Sequence, residues 1–131
     1  MKQKPDNSPL PLAACAGFPS PADDYIEAPL DLHTHVVKHP SATFFVRVSG
    51  DSMRGAGIRD RDLLVVDRSL EPADKSIVIA VLDGAMSVRR LRRCDGVARL
   101  ATESGNAPAM GVVVNEGDEI WGVVTHALHA F

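Results

Sequence analysis

At 131 residues the chain has room for one domain of ordinary size and a short tail. Its hydrophobic content of 45% is that of a globular protein with a real core, and its net charge of -3 gives no global argument for a nucleic-acid or membrane surface. No apolar run is long enough to span a bilayer, and the two cysteines, Cys15 and Cys94, fit a reducing cytoplasm better than a disulfide framework.

Met1 to about Pro11 is polar and proline-rich and reads as a mobile arm. Leu12-Ala13-Ala14-Cys15, preceded by Lys2 and Lys4, has the look of a bacterial lipidation box. A signal peptide, however, needs an apolar stretch of roughly 7–15 residues. Here Asp6 and Asn7 are polar, and Pro5, Pro9 and Pro11 break any helix, so the lipoprotein reading is set aside. Leu10 to Phe18 is more apolar and can lie extended against a sheet or groove. Pro19, Ser20, Pro21 and Asp23 then mark a turn.

The body reads as mainly β. Asp31 can cap a short helix over Leu32 to Lys38, which Pro40 ends. Thr43 to Val48, rich in β-branched and aromatic residues, is the first expected strand. Leu63 to Val66 is a second, apolar enough to be buried on both faces. Ile77 to Leu82 and Ala85 to Leu91 flank Asp83-Gly84, a strong hairpin signal. Val97 to Thr102, Gly111 to Val114 and Ile120 to Leu128 complete the set. Gly55 and Gly57 lie in a non-strand stretch that reads as a turn or one helical turn. Many short strands with glycine and aspartate turns predict a single compact, strongly bent β-sheet or barrel-like domain with an extended N-terminal arm.

Ser49-Gly50-Asp51-Ser52-Met53 follows directly on the first strand. A serine placed after a strand and beside glycine can be held with its hydroxyl outward. A helical turn starting there offers backbone N–H groups to a developing oxyanion. The pentapeptide alone does not favour that chemistry over the plainer reading, in which Ser49 and Ser52 merely cap a turn.

The wider pattern is more specific. Gly17-Phe18-Pro19-Ser20-Pro21-Ala22, His39-Pro40-Ser41-Ala42-Thr43, Ser49 to Met53, Gly57-Ile58, Asp62 to Asp67, Ile77 to Ala80, Asp83-Gly84 and Gly122-Val123-Val124 follow one another in a family order and spacing. Over about Gly17 to Phe131 the chain resembles the self-cleaving serine peptidases of the UmuD and LexA C-terminal type, peptidase family S24. The resemblance implies an arm of residues 1–16 and a peptidase-type domain of residues 17–131. It implies Ser52 as nucleophile and Ala16-Gly17 as the bond at which the chain cuts its own arm. It further implies stimulation by a RecA–single-stranded DNA filament, a homodimer in the cytoplasm, and service to a UmuC-like polymerase in error-prone translesion synthesis. It implies no cofactor and no metal.

One position departs from the pattern. The family's general base is a lysine in a Val-Lys-x-Leu setting, and this chain reads Ser87-Val88-Arg89-Arg90-Leu91, so Arg89 stands in the lysine's place. A lysine begins near pKa 10.4, and burial can lower it by up to about 3–5 units. An arginine begins far above neutrality, is effectively never deprotonated in proteins, and has no acceptor lone pair while charged. It can donate to a serine hydroxyl but cannot take its proton. Strand alternation puts Arg90 on the face opposite Arg89. Of the other lysines, Lys2, Lys4, Lys38 and Lys75, hairpin pairing sets Lys75 opposite about Cys94, on the order of 10 Å or more from Arg89.

The remaining candidates have plain readings. His33 and His35 diverge if the segment is helical, and His126 and His129 lack a third ligand at a telling spacing. Asp51, Asp62 and Asp67 suggest a Ser-His-Asp arrangement, but the late Asp-x-x-His of the Gly-Asp-Ser-Leu esterases is missing. Arg89, Arg90, Arg92 and Arg93 form a basic stripe that could meet phosphate, against which the total charge argues. Two functions compete: a polymerase regulatory subunit with an impaired self-cleavage site, and a fully active self-processing serine peptidase. A LexA-like repressor fragment is a weaker third, because the segment before Gly17 is too short for a helix-turn-helix.

Overall fold

The computed structural model describes residues 30–105 and 111–131. The chain divides into two compact units, residues 1–36 and 37–131. The arm, Cys15, the Ala16-Gly17 bond and the Gly17 to Asp23 segment lie outside the described residues.

In the first unit the described element is α1, Leu32–Val36. Asp31 caps it as the sequence indicates, with Oδ1 accepting from the Thr34 N–H at 3.3 Å and Oδ2 from the Thr34 hydroxyl at 2.7 Å. The helix stops two residues short of Lys38. His39 precedes Pro40, and a residue before proline is pushed out of the helical region; its φ and ψ are -131° and 81°. His33 and His35 both lie in α1, where residues two apart diverge.

The second unit is mostly β. Seven strands, β1 (Thr43–Arg47), β2 (Leu63–Asp67), β3 (Ile77–Leu82), β4 (Ala85–Cys94), β5 (Val97–Ala101), β6 (Val112–Val113) and β7 (Glu119–Leu128), form one sheet. Its order is β1-β2-β7-β3-β4-β5-β6, and every neighbouring pair is antiparallel. The last strand is therefore central and joins two hairpin-built halves. Its pairing shifts register against β2 at Val65/Val66 and against β3 at Ile79/Ala80, and such irregularities bend and twist a sheet locally. Among the described residues, no helix is long and apolar enough to cross a membrane.

Hairpin chemistry sets the register. Asp83 and Gly84 have φ of 52° and 80°, the left-handed pair that a two-residue turn of type I′ requires, and they pair Leu82 with Ala85. Asp95-Gly96 repeats the device, with φ of 53° and 77°, and pairs Cys94 with Val97. From the first turn the ladder runs to Val78↔Arg89 and Ile77↔Arg90. Lys75 does not fall opposite Cys94. The tight turn brings its N–H to the Leu91 carbonyl at 2.7 Å, and its own φ of 74° turns the chain out of the ladder.

Side-chain alternation divides the core in two. Val48, Met53, Ile58, Leu64, Val66 and Ile79 form one buried cluster. Val78, Ala80, Leu91, Leu100 and Val123 form the other. Val78 and Ile79 are adjacent in β3 yet feed different clusters, which is why this run is apolar without alternation.

Candidate functional site around Ser52

The turn after β1 is held from three sides. The Gly50 N–H donates to Asp60 Oδ1 at 2.6 Å, so the loop before β2 carries its start. A short 3-10 helix, Arg54–Ala56, carries its end, with the Arg54 N–H on the Asp51 carbonyl at 3.2 Å and the Ala56 N–H on the Met53 carbonyl at 3.0 Å. Between them Met53, 1% exposed, is sunk into the first cluster and anchors the turn. Burying such a side chain contributes about 1.5–3 kcal/mol.

Anchoring Met53 leaves Ser52 half-buried at the mouth of the turn. Its carbonyl accepts the Glu103 N–H at 2.9 Å, and the Gly55 N–H donates to the Glu103 carbonyl at 2.5 Å. Glu103 thus braces the turn like a strand partner. That approach is so close that a Cβ on Gly55 would stand 2.7 Å from the Glu103 carbonyl oxygen, so any side chain at residue 55 forces the backbone apart. Among the described residues nothing hydrogen-bonds the Ser52 hydroxyl or the N–H groups of Ser52 and Met53.

Ser52 and Arg89 are not brought together by any hydrogen bond. Arg89 stands opposite Val78, a member of the second cluster, whereas Met53 beside Ser52 belongs to the first. Its guanidinium Nη1 donates to the Val88 carbonyl at 2.8 Å. The arginine linked to the Ser52 turn is its neighbour. Arg90 Nε donates to Glu103 Oε2 at 2.7 Å and Nη2 to Oε1 at 3.1 Å, a two-pronged grip, while Nη1 reaches the Lys75 carbonyl at 2.8 Å. Both side chains are largely buried, at 23% and 16% exposed. Hydrogen bonding from Arg90 outweighs that burial and holds the Glu103 carboxyl below the usual range; the reciprocal bond raises Arg90.

The sequence pattern does not single out Glu103. The signal is there once the register is known: Arg90 pairs with Ala101, and the residue two further along lies diagonally on the same side. Without the Asp95-Gly96 turn, that register cannot be counted.

Two of the aspartates join histidines instead of Ser52. His129 Nδ1 lies 2.6 Å from Asp62 Oδ1, and the Asp62 side chain is 1% exposed. The Arg59 N–H, donating at 2.9 Å, leads in holding the Asp62 carboxyl below its ordinary value; burial opposes and His129 assists. For Asp67, burial pushes upward, but the Ser69 hydroxyl and N–H and His39, at 2.5 Å, outweigh it. Neither pair touches the Ser52 hydroxyl, so among the described residues there is no Ser-His-Asp array. His126 meets the neighbouring Thr125 hydroxyl at 2.9 Å.

Comparison with known proteins agrees with this architecture. Residues 9–125 match the family model described as Peptidase S24-like. The chain is 48% identical to protein MucA of Escherichia coli over 118 residues, 86% of this chain and 77% of that protein. It is 47% identical to protein ImpA of Escherichia coli over 115 residues, covering 87% and 77% respectively. With protein SamA of Salmonella typhimurium it shares 44% identity over 131 residues, covering 98% of this chain and 91% of SamA. The Ser52 turn therefore sits in a chain that belongs to the Peptidase S24-like family.

Proposed function

We propose that this chain is a UmuD-type protein of the SOS response, a regulatory subunit of an error-prone translesion DNA polymerase that works by protein contacts with its self-cleavage impaired. Membership of the S24 family and the close kinship with MucA, ImpA and SamA support the general role. In this reading residues 17–131 form the domain, residues 1–16 the arm, and Ala16-Gly17 the bond the family machinery addresses. The partners are a second copy of the chain, a UmuC-like polymerase and a RecA–single-stranded DNA filament, all in the cytoplasm.

The observation that carries the impaired site is Arg89 in the lysine's position. Serine attack needs a base that accepts the hydroxyl proton. A guanidinium offers five donors and no acceptor, and an arginine is effectively never deprotonated in proteins. The Arg89 guanidinium is turned to the Val88 carbonyl, and no described residue replaces it at the Ser52 hydroxyl.

The test is self-cleavage followed by mass spectrometry at rising pH, with and without activated RecA. The native chain is expected to retain residues 1–16, and Arg89→Lys to release them. Efficient loss of the arm from the native chain, abolished by Ser52→Ala, would establish the fully active peptidase instead.

A further inference from the structure

We infer that Arg90 and Glu103 are positioning residues for the Ser52 turn, holding it ready through the Glu103 main chain. The inference rests on Ser52 being the nucleophile position, as proposed above. Glu103 does two things at once. Its N–H and carbonyl take the Ser52 carbonyl and the Gly55 N–H, on either side of Met53. Its carboxylate is gripped by both prongs of Arg90, and Arg90 is tied in turn to the Lys75 carbonyl, two residues before β3.

Position therefore passes from the sheet to the serine by a short path. β4 fixes Arg90, Arg90 fixes the carboxylate, and the carboxylate fixes the backbone that Ser52 leans on. Glu103 lies beyond the end of β5 and has no ladder of its own to hold it. The ion pair supplies what a ladder would. Two parallel N–H···O bonds fix direction as well as distance, which a lysine ammonium cannot do. The bonds are shielded, so solvent competes for them weakly.

This arrangement also separates adjacent arginines by task. Arg89, opposite Val78, takes no part in the clamp. The Ser52 turn is consequently braced whether or not a base is present beside the hydroxyl, and the Arg89→Lys chain inherits a prepared nucleophile.

The test is amide hydrogen exchange in the native chain, read at Gly55 and Glu103 against Leu64 and Val66 in β2. Arg90→Met and Glu103→Gln are each expected to speed exchange at Gly55 and Glu103 about tenfold or more, with Leu64 and Val66 little changed. The double variant should be no worse than either single one, because both remove one interaction. Arg90→Lys should recover part of the protection. Uniform acceleration at all four amides, or none at Gly55 and Glu103, overturns the clamp. In the Arg89→Lys chain the same substitutions should slow arm release by about tenfold without shifting its pH midpoint, since they do not alter the base. If Arg89→Lys releases no arm at all, the account of Arg89 fails, and the exchange data still decide the clamp.

Discussion

Replacing Gly55 by alanine tests the bracing of the serine turn at one atom. The added Cβ would stand 2.7 Å from the Glu103 carbonyl oxygen and 3.2 Å from that of Gly105. Both obstacles are backbone, so neither can swing aside as a long side chain would. Relief requires the turn and residue 103 to separate, which stretches the Gly55 N–H···O=C bond, now 2.5 Å between heavy atoms. Overpacking of this kind costs about 1–3 kcal/mol. Alanine also restricts the unfolded chain and returns about 0.4–1 kcal/mol. The clash wins, leaving a net loss of about 1–2 kcal/mol. With a urea slope of about 1–3 kcal/mol/M, the midpoint should fall by roughly 0.5–1 M at an unchanged slope. Gly105→Ala is the control: among the described residues a Cβ there would meet nothing within 4 Å, and the variant should stay within about 0.5 kcal/mol of the native chain. An unchanged or raised midpoint for Gly55→Ala would refute the close approach of Glu103.

Met53→Ala should cost more, about 2–5 kcal/mol, because it empties a site 1% exposed in the first cluster; urea unfolding measures it, and a loss under about 1 kcal/mol would mean that Met53 does not anchor the turn. Acid should destabilise the fold through three carboxyls, Asp62, Asp67 and Glu103, all held below their ordinary values. Their contribution is complete above the unfolded values, about 3.9 for aspartate and 4.3 for glutamate, and is lost as pH falls through the lower folded ones. The urea midpoint should therefore drop as pH falls below about 4, and Asp62→Asn should flatten that decline.

Much of the sheet was legible because its signals are local. Asp83-Gly84 announces a hairpin by chemistry alone, and Thr43 to Val48 reads as a strand from its β-branched and aromatic residues, one residue beyond the observed Thr43–Arg47. The same Asp-Gly signal stands at residues 95–96, but the charged Arg92 and Arg93 end the apolar pattern at Leu91, whereas the strand runs on to Cys94. The expected helix over 32–38 was too long: α1 ends at Val36, and His39, disfavoured from helix by the proline that follows it, is already extended. At the site, the placement of Ser52 just after a strand was legible, its reading as nucleophile came from the family resemblance alone, and its brace was not legible. Glu103 meets the turn through main-chain atoms, which carry no sequence signature, and its partner Arg90 is 13 residues away across an unforeseen turn. The pairs His129–Asp62 and His39–Asp67 were equally hidden, since each joins segments that only the finished sheet brings together.

With Arg89 in the lysine's place, the hydroxyl at position 52 is proposed to lack a group that would take its proton. A serine-directed fluorophosphonate, incubated with the intact chain at neutral pH and mapped by peptide mass spectrometry, reads that property without RecA or an arm to cut. No adduct is expected at Ser52 in the native chain, and a Ser52 adduct is expected in Arg89→Lys. Prompt labelling of Ser52 with Arg89 in place would contradict it.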